Sequence, residues 1–179
     1  CTLDFGGTTK PNDVDYSATG GGSADFSQDG YVTLKTPTSG TVSVSKTFNS
    51  ALDGVFTAEV KVQNRSSAAN TFANVLFLEN SAYSGTAANI VTVAIESGRL
   101  RYHVNGKWTP ITFENDNFYF VDFEWYVIKA IVDCDAKKVK LYVSGEHYKT
   151  ASNGENKTLG NDIYLGEYAF RNSNIGNPD

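Results

Sequence analysis

Methionine is absent from this chain, and so is any excess of basic residues: 15 Lys and Arg stand against 20 Asp and Glu, a formal net charge of −5. A chain of that sign repels a phosphate backbone, which argues against generic nucleic-acid binding. No apolar run approaches the ~20 residues of a membrane-spanning helix. No signal peptide is evident either, which does not make the protein cytosolic, because the sequence is compatible with a mature or excised piece. There is no internal repeat, no amphipathic helical stretch of useful length, no Gly-rich phosphate loop, no HExxH run and no Cys/His constellation. The only histidines are His103 and His147. Neither lies near a Ser or Cys in a nucleophile context, and both are expected to be surface polar groups. The two cysteines, Cys1 and Cys134, leave three readings open. Cys1 is disulfide-bonded to Cys134, lipid-modified, or simply a chain boundary, and sequence does not show whether the two Cα atoms come within bridging distance.

What is present is strand and turn material. Gly, Ser, Thr and Asn are abundant, and Val, Ile, Phe and Tyr are frequent. That composition favours strands and turns over helices. With 179 residues the chain is long enough for one sizeable core,. We expect one domain over residues 1–171 and a tail or linker over 172–179. The clearest signal is the run 125–145, WYVIKAIVDCDAKKVKLYVSG, in which two stretches of period-two alternation flank a polar turn,. Residues 2–6 read as a short first strand, and 31–36 with 41–48 as a hairpin around Pro37-Thr38-Ser39-Gly40,. Residues 54–63 alternate cleanly, with Phe56, Ala58, Val60 and Val62 on one face. Residues 72–79, FANVLFLE, are nearly all apolar, which predicts a central strand covered on both faces,. Strands follow at 90–96 and 99–104, then the Asn105-Gly106 turn, whose residues accept positive φ, then a return strand carrying Trp108 and a last strand over 162–170. Roughly ten to twelve short strands with frequent turns predict an all-β fold, a two-sheet antiparallel β-sandwich of jelly-roll type.

The runs GVFTAEVKVQN, FANVLFLENS, VAIESGRLRYHVNGKWTPI, WYVIKAIVD and KKVKLYVSG together resemble the concanavalin A-like lectin/glucanase superfamily. Within it they are most similar to non-catalytic carbohydrate-binding modules appended to bacterial pectate lyases and related polysaccharide-degrading enzymes. The resemblance covers about residues 54–145. The last strand, IYLGEYAF, departs from the ending such modules often have. It implies a concanavalin A-like sandwich that is not itself an enzyme. The module would target a covalently linked catalytic domain to plant cell-wall polysaccharide, possible pectin-like acidic polymers included. The setting it implies is a secreted or cell-surface bacterial protein, monomeric and without a membrane span. Structural calcium is common in this fold, and Asp4, Asp13, Asp15, Asp162 and Glu167 are candidate ligands. Two alternatives stay open: a small jelly-roll polysaccharide lyase or glycosidase, and a surface adhesion domain that binds protein.

The residues offer little for catalysis. No alternating carboxylate motif of retaining glycosidases is found. Asp122 and Glu124 come nearest, and they read as a solvated loop. The outward faces offer more. If Phe56, Val60, Leu100, Tyr102, Val104, Ile128, Val132, Leu141 and Val143 face the core, period two turns Arg99, Arg101, His103, Lys129, Lys140 and Tyr142 outward, with Glu59 and Lys61. Like charges gathered on one face of an acidic chain call for anionic neighbours or an anionic ligand. Arg takes a carboxylate bidentately, and Tyr stacks on a sugar ring. These residues are therefore expected to form one shallow platform for a uronate-containing glycan, with cross-strand Glu–Lys pairing as the plainer alternative. Tyr83, Trp108 and Tyr148, in or beside turns, are the candidate loop-edge aromatics, Trp108 the best of them. Trp125 is expected in the core.

Overall fold

Each clear stretch of alternation becomes a strand, and what the alternation leaves open is the partner. The computed structural model describes residues 7, 9–36, 39–48, 52–65 and 72–172. Where the sequence suggests a single domain, the chain divides into two compact units, Cys1–Ser50 and Ala51–Asp179.

In the first unit, β1 (Asp15–Ala18), β2 (Ser23–Asp25), β3 (Thr33–Lys35) and β4 (Val42–Ser45) make two separate antiparallel pairs. They are β1 with β4 and β2 with β3. The hairpin expected between 31–36 and 41–48 does not form, because each of its strands takes an earlier partner. Glycine makes the β1–β4 pairing possible. A Cβ on Gly40 would stand 2.4 Å from the Thr19 carbonyl oxygen, and the Thr19 N–H donates to the Thr41 carbonyl beside it. The strand expected at 2–6 lies outside the described residues.

The second unit holds β5 (Val55–Gln63), β6 (Phe72–Glu79), β7 (Asn89–Glu96), β8 (Arg99–Val104) and β9 (Lys107–Pro110). It continues with β10 (Thr112–Phe113), β11 (Asp116–Asn117), β12 (Trp125–Asp133), β13 (Lys138–Tyr148) and β14 (Lys157–Ala169). Two four-stranded antiparallel sheets result, ordered β14-β13-β12-β5 and β6-β7-β8-β9. The fold is all-β, an antiparallel two-sheet sandwich of jelly-roll type. Both expected hairpin turns are present. Asn105 and Gly106 have φ of 48° and 76°, and Ser97 and Gly98 have 49° and 81°. Both are two-residue connections with positive φ throughout, which match the twist of the strands they join.

The core lies between the sheets. Ile128, Ala130 and Val132 of β12 and Val139, Leu141 and Val143 of β13 meet Val91, Val93 and Ile95 of β7 and Leu100 and Tyr102 of β8. Tyr102 crosses the sandwich and donates its hydroxyl to the Ala169 carbonyl at 2.9 Å. Tyr126 closes one end: its hydroxyl donates to the His147 carbonyl and accepts from the Val121 N–H, both at 2.8 Å. Gly145 gives that ring room, since a Cβ there would lie 2.6 Å from Tyr126 Cδ1. Cys134 is a buried free thiol, so the disulfide reading is not realised at this cysteine; the alternatives for Cys1 itself fall outside the described residues.

Two expectations are corrected here. β6 ends its sheet's order among the described residues, with exposed positions along its length. The strand covered on both faces is β7, buried from Asn89 through Ile95. An apolar run signals burial without saying which neighbour supplies it. Trp125 is not in the core. It is 39% exposed, because Tyr126 takes the inward position and puts Trp125 on the outward parity of β12,.

Candidate functional site

The residues expected on one platform, and the loop-edge aromatics Trp108 and Tyr83, occupy different places. Arg99, Arg101 and His103 on β8 and Trp108 on β9 share the outer face of the β6–β9 sheet. Lys129, Lys140 and Tyr142 lie on the outer face of the other sheet. Tyr83 is exposed on the loop after β6. The single platform is thus a correction. Alternation tells inward from outward, but the two outward faces of a sandwich point in opposite directions, and no period within a strand says to which sheet it belongs.

On the β6–β9 sheet, Leu100 and Tyr102 point to the core and leave Arg101 and His103 together on the other side. His103 pairs with Trp108 across the β8–β9 ladder, and their rings meet edge to face with centroids 4.9 Å apart. Phe72, at the far corner of the sheet on β6, also reaches Trp108, at 5.0 Å. Strands at opposite ends of the sheet order touch this way only if twist and curl lift the two corners toward each other. That makes this face concave along the diagonal. Ala94, an outward position of β7, is fully buried beneath the side chains that cover it.

Charge is gathered around these rings. Arg101 pairs with Glu96 through Nη1 and donates from Nη2 to the Trp108 carbonyl at 3.2 Å, and Arg99 stands 3.9 Å from the same carboxylate. Arg171, just past β14, donates to Thr92 Oγ1 at 3.3 Å. With its amide turned to satisfy both neighbours, Asn89 donates to Glu79 at 2.8 Å and accepts from Arg171. His103 is only 9% exposed. Burial first, and the Arg171 charge second, hold its pKa below the ordinary histidine value. Two polar atoms here, Arg101 Nε and His103 Nδ1, are buried without a hydrogen-bond partner among the described residues. They belong to residues two apart on one strand, both in contact with Trp108. Neither Glu79 nor Arg171 was singled out in the sequence: Arg171 falls where the strand pattern has ended, and only the chain's return to Ile90, where the Arg171 N–H donates at 2.7 Å, brings it here.

The other outer face is organised differently. The ladders align Glu59, Lys129, Tyr142 and Tyr164 in one cross-strand row, and Thr57, Ile131, Lys140 and Glu167 in the next. Lys129 is paired with Asp162, whose hydrogen bond is the main cause of its raised pKa. Lys138 pairs with Glu167 at 2.8 Å. Of the cross-strand Glu–Lys pairing offered as the plainer reading, Lys138 with Glu167 is found, whereas Lys129 takes Asp162 two strands away and has Glu59 only as its ladder neighbour. The loop ahead of β12 is tied down rather than merely solvated. Asp122 accepts from Asn64 Nδ2 at 2.9 Å, while Glu124 holds His147 through the backbone N–H at 3.2 Å and ring Nδ1 at 3.0 Å. His147 is thus an ion-contact partner and His103 a buried ring, where both were expected as surface polar groups.

Among the described residues no group of three or more His, Cys, Asp or Glu is placed to hold a metal ion. No helix among them is long and apolar enough to cross a membrane. No protein-family model matches the chain, and no curated protein matches it. Among solved structures, it is similar to the catalytic domain of the glycoside hydrolase family 131 protein from Coprinopsis cinerea. The similarity covers 76% of this chain and 56% of that one, at 11% identity and a TM-score of 0.38. That structure is described as a catalytic domain, and on that finding the expectation that this sandwich is not an enzyme is corrected.

Proposed function

We propose that the sandwich unit recognises polysaccharide on the concave face of the β6–β9 sheet, and that the sugar carries carboxylates, as a uronate polymer does. The observation that carries this is the pair of unpartnered buried atoms, Arg101 Nε and His103 Nδ1, beside the Trp108 ring. A buried polar group without a partner costs about 1–3 kcal/mol, and a ligand that shifts the Trp108 side chain and brings oxygens to Arg101 Nε and His103 Nδ1 recovers that cost. The indole offers a sugar ring a surface to stack on. Arg99, Arg101 and Arg171 outnumber Glu79 and Glu96 on this face, in a chain of net charge −5. That local excess favours an anionic ligand and makes its binding salt-sensitive. In this reading the partner is an extracellular polysaccharide and the setting is secreted or cell-surface, with the chain acting as a monomer. Any covalently linked domain is held near the polymer at raised effective concentration. Structural calcium remains part of the proposal, and chelation tests it.

Isothermal titration of the chain against polygalacturonate and methylated pectin, with and without EDTA and at low and high salt, tests the reading. The same samples are assayed for new reducing ends and unsaturated products. Binding to polygalacturonate that weakens with methylation and salt, and falls at least tenfold in Arg101→Gln and Trp108→Ala, is the expected result. Unchanged affinity in both variants overturns it. Product formation lost in His103→Gln makes this face an active site.

A further inference from the structure

We propose that the same unit carries a second glycan site, on the outer face of the β14-β13-β12-β5 sheet, and that its ligand is a neutral linear polysaccharide. The inference stands on a different face and different residues from the uronate site.

Three aromatic rings are displayed there. Trp125 is 39% and Tyr164 51% exposed, and Tyr142 lies beside Tyr164 with centroids 5.4 Å apart. Trp125 is four residues along β12 from Lys129, which pairs with Tyr142 on the next strand. At strand geometry the ridge from Trp125 to the tyrosines is about 15 Å long, a length for several sugar rings rather than one. Beyond the tyrosines the face continues into a shallow groove of about 380 Å³, with Val55, Ile131 and Ala136 among its lining residues and Lys140 and Glu167 at its side. Rings for the C–H faces of sugars thus alternate with polar groups for their hydroxyls along one path.

The charge pattern selects the class of ligand. Lys129 is matched by Asp162 and lies across the ladder from Glu59, Lys138 is matched by Glu167 and lies across from Asp133, and with Lys61 and Lys140 these four lysines stand against four carboxylates. Lys129 and Lys61 also lie over the Tyr142 and Trp125 rings, at 5.2 and 5.4 Å. No excess positive charge is left to draw a uronate or a phosphate. A protein partner would need a continuous apolar patch, and here charged side chains interrupt the rings at each row. A chain of hydroxyls and C–H faces, without charge, is what remains complementary.

Titrations of the full chain with cellohexaose, mannohexaose and xylohexaose test this, read both as heat and as NMR shift changes. The expected result is binding of at least one hexasaccharide, tighter than the matching trisaccharide, insensitive to salt, and weakened at least tenfold by Tyr142→Ala with Tyr164→Ala. Tyr142→Phe with Tyr164→Phe keeps the rings and most of the affinity. Trp108→Ala leaves hexasaccharide binding unchanged, and the double tyrosine variant leaves polygalacturonate binding unchanged, so each site fails separately. Absence of binding to all three sugars overturns the proposal. So does binding that survives in the double alanine variant while that variant keeps the parent's circular dichroism and unfolding midpoint.

Discussion

His103 ties its site to pH through stability. In the unfolded chain its imidazole titrates at the ordinary value of about 6.5; in the folded chain burial and Arg171 hold it lower. Between the two values the unfolded chain binds a proton that the folded chain refuses. Stability is therefore lost as pH falls below about 6.5 and levels off beneath the folded value, with no contribution changing above neutrality. Denaturant unfolding from pH 7.5 to 5 is expected to show this loss in the parent and a shallower one in His103→Gln; parallel curves would remove His103 as the cause. Tyr126 makes a second test. Tyr126→Phe keeps the ring against Gly145 but leaves the Val121 N–H and the His147 carbonyl without their shared partner. The expected cost is about 1–3 kcal/mol, read as a lower unfolding midpoint at unchanged m-value. Neither residue declared its role in the sequence. Tyr126 shares the parity of Ile128, but a hydroxyl bridging two segments is a tertiary fact.

At the scale of the strand, β7 is where local pattern and tertiary setting differ most. Its outward side chains Thr92 and Ala94 are fully buried, because the curl of the sheet folds neighbouring side chains over them. Ala94 is small where a larger side chain would meet that cover. Ala94→Leu is expected to cost about 1–3 kcal/mol by overpacking and to displace the Phe72–Trp108 contact, so the Trp108 fluorescence maximum shifts with it. A stable variant with unchanged fluorescence would show the face to be open there. Strand positions in the second unit were largely legible: 54–63, 90–96, 99–104 and the hairpin at 125–145 match strands to within a residue or two at most ends. The role of 72–79 was not, since a run rich in Phe, Val and Leu looks the same at a sheet edge exposed to water as in the middle of a sheet.

Across the whole chain, stability is expected to be uneven. Val14 is the one buried hydrophobic residue among those described in the unit Cys1–Ser50, whereas the unit Ala51–Asp179 holds the whole sandwich core. Amide exchange follows local opening, which is governed by buried contacts. The β1–β4 and β2–β3 amides are therefore expected to exchange through local opening well before those of β7, β12 and β13. Equal protection in both units would mean that the chain opens only as one cooperative body.

Chain sequence was enough for the all-β class, the turns at Ser97-Gly98 and Asn105-Gly106, and the inward set from Phe56 to Val143. These depend on backbone φ preference and on a period of two, both properties of neighbours along the chain. Tertiary structure alone decided that Arg101 and His103 face one way and Lys129 and Tyr142 the other, that β4 pairs with β1 rather than β3, and that Arg171 comes to Thr92. The first follows from which strands share a sheet, a choice set by hydrophobic contact between residues far apart in the chain; the second rests on the close approach of Gly40 to Thr19 and the third on the Arg171 N–H reaching Ile90, and no local period records any of them.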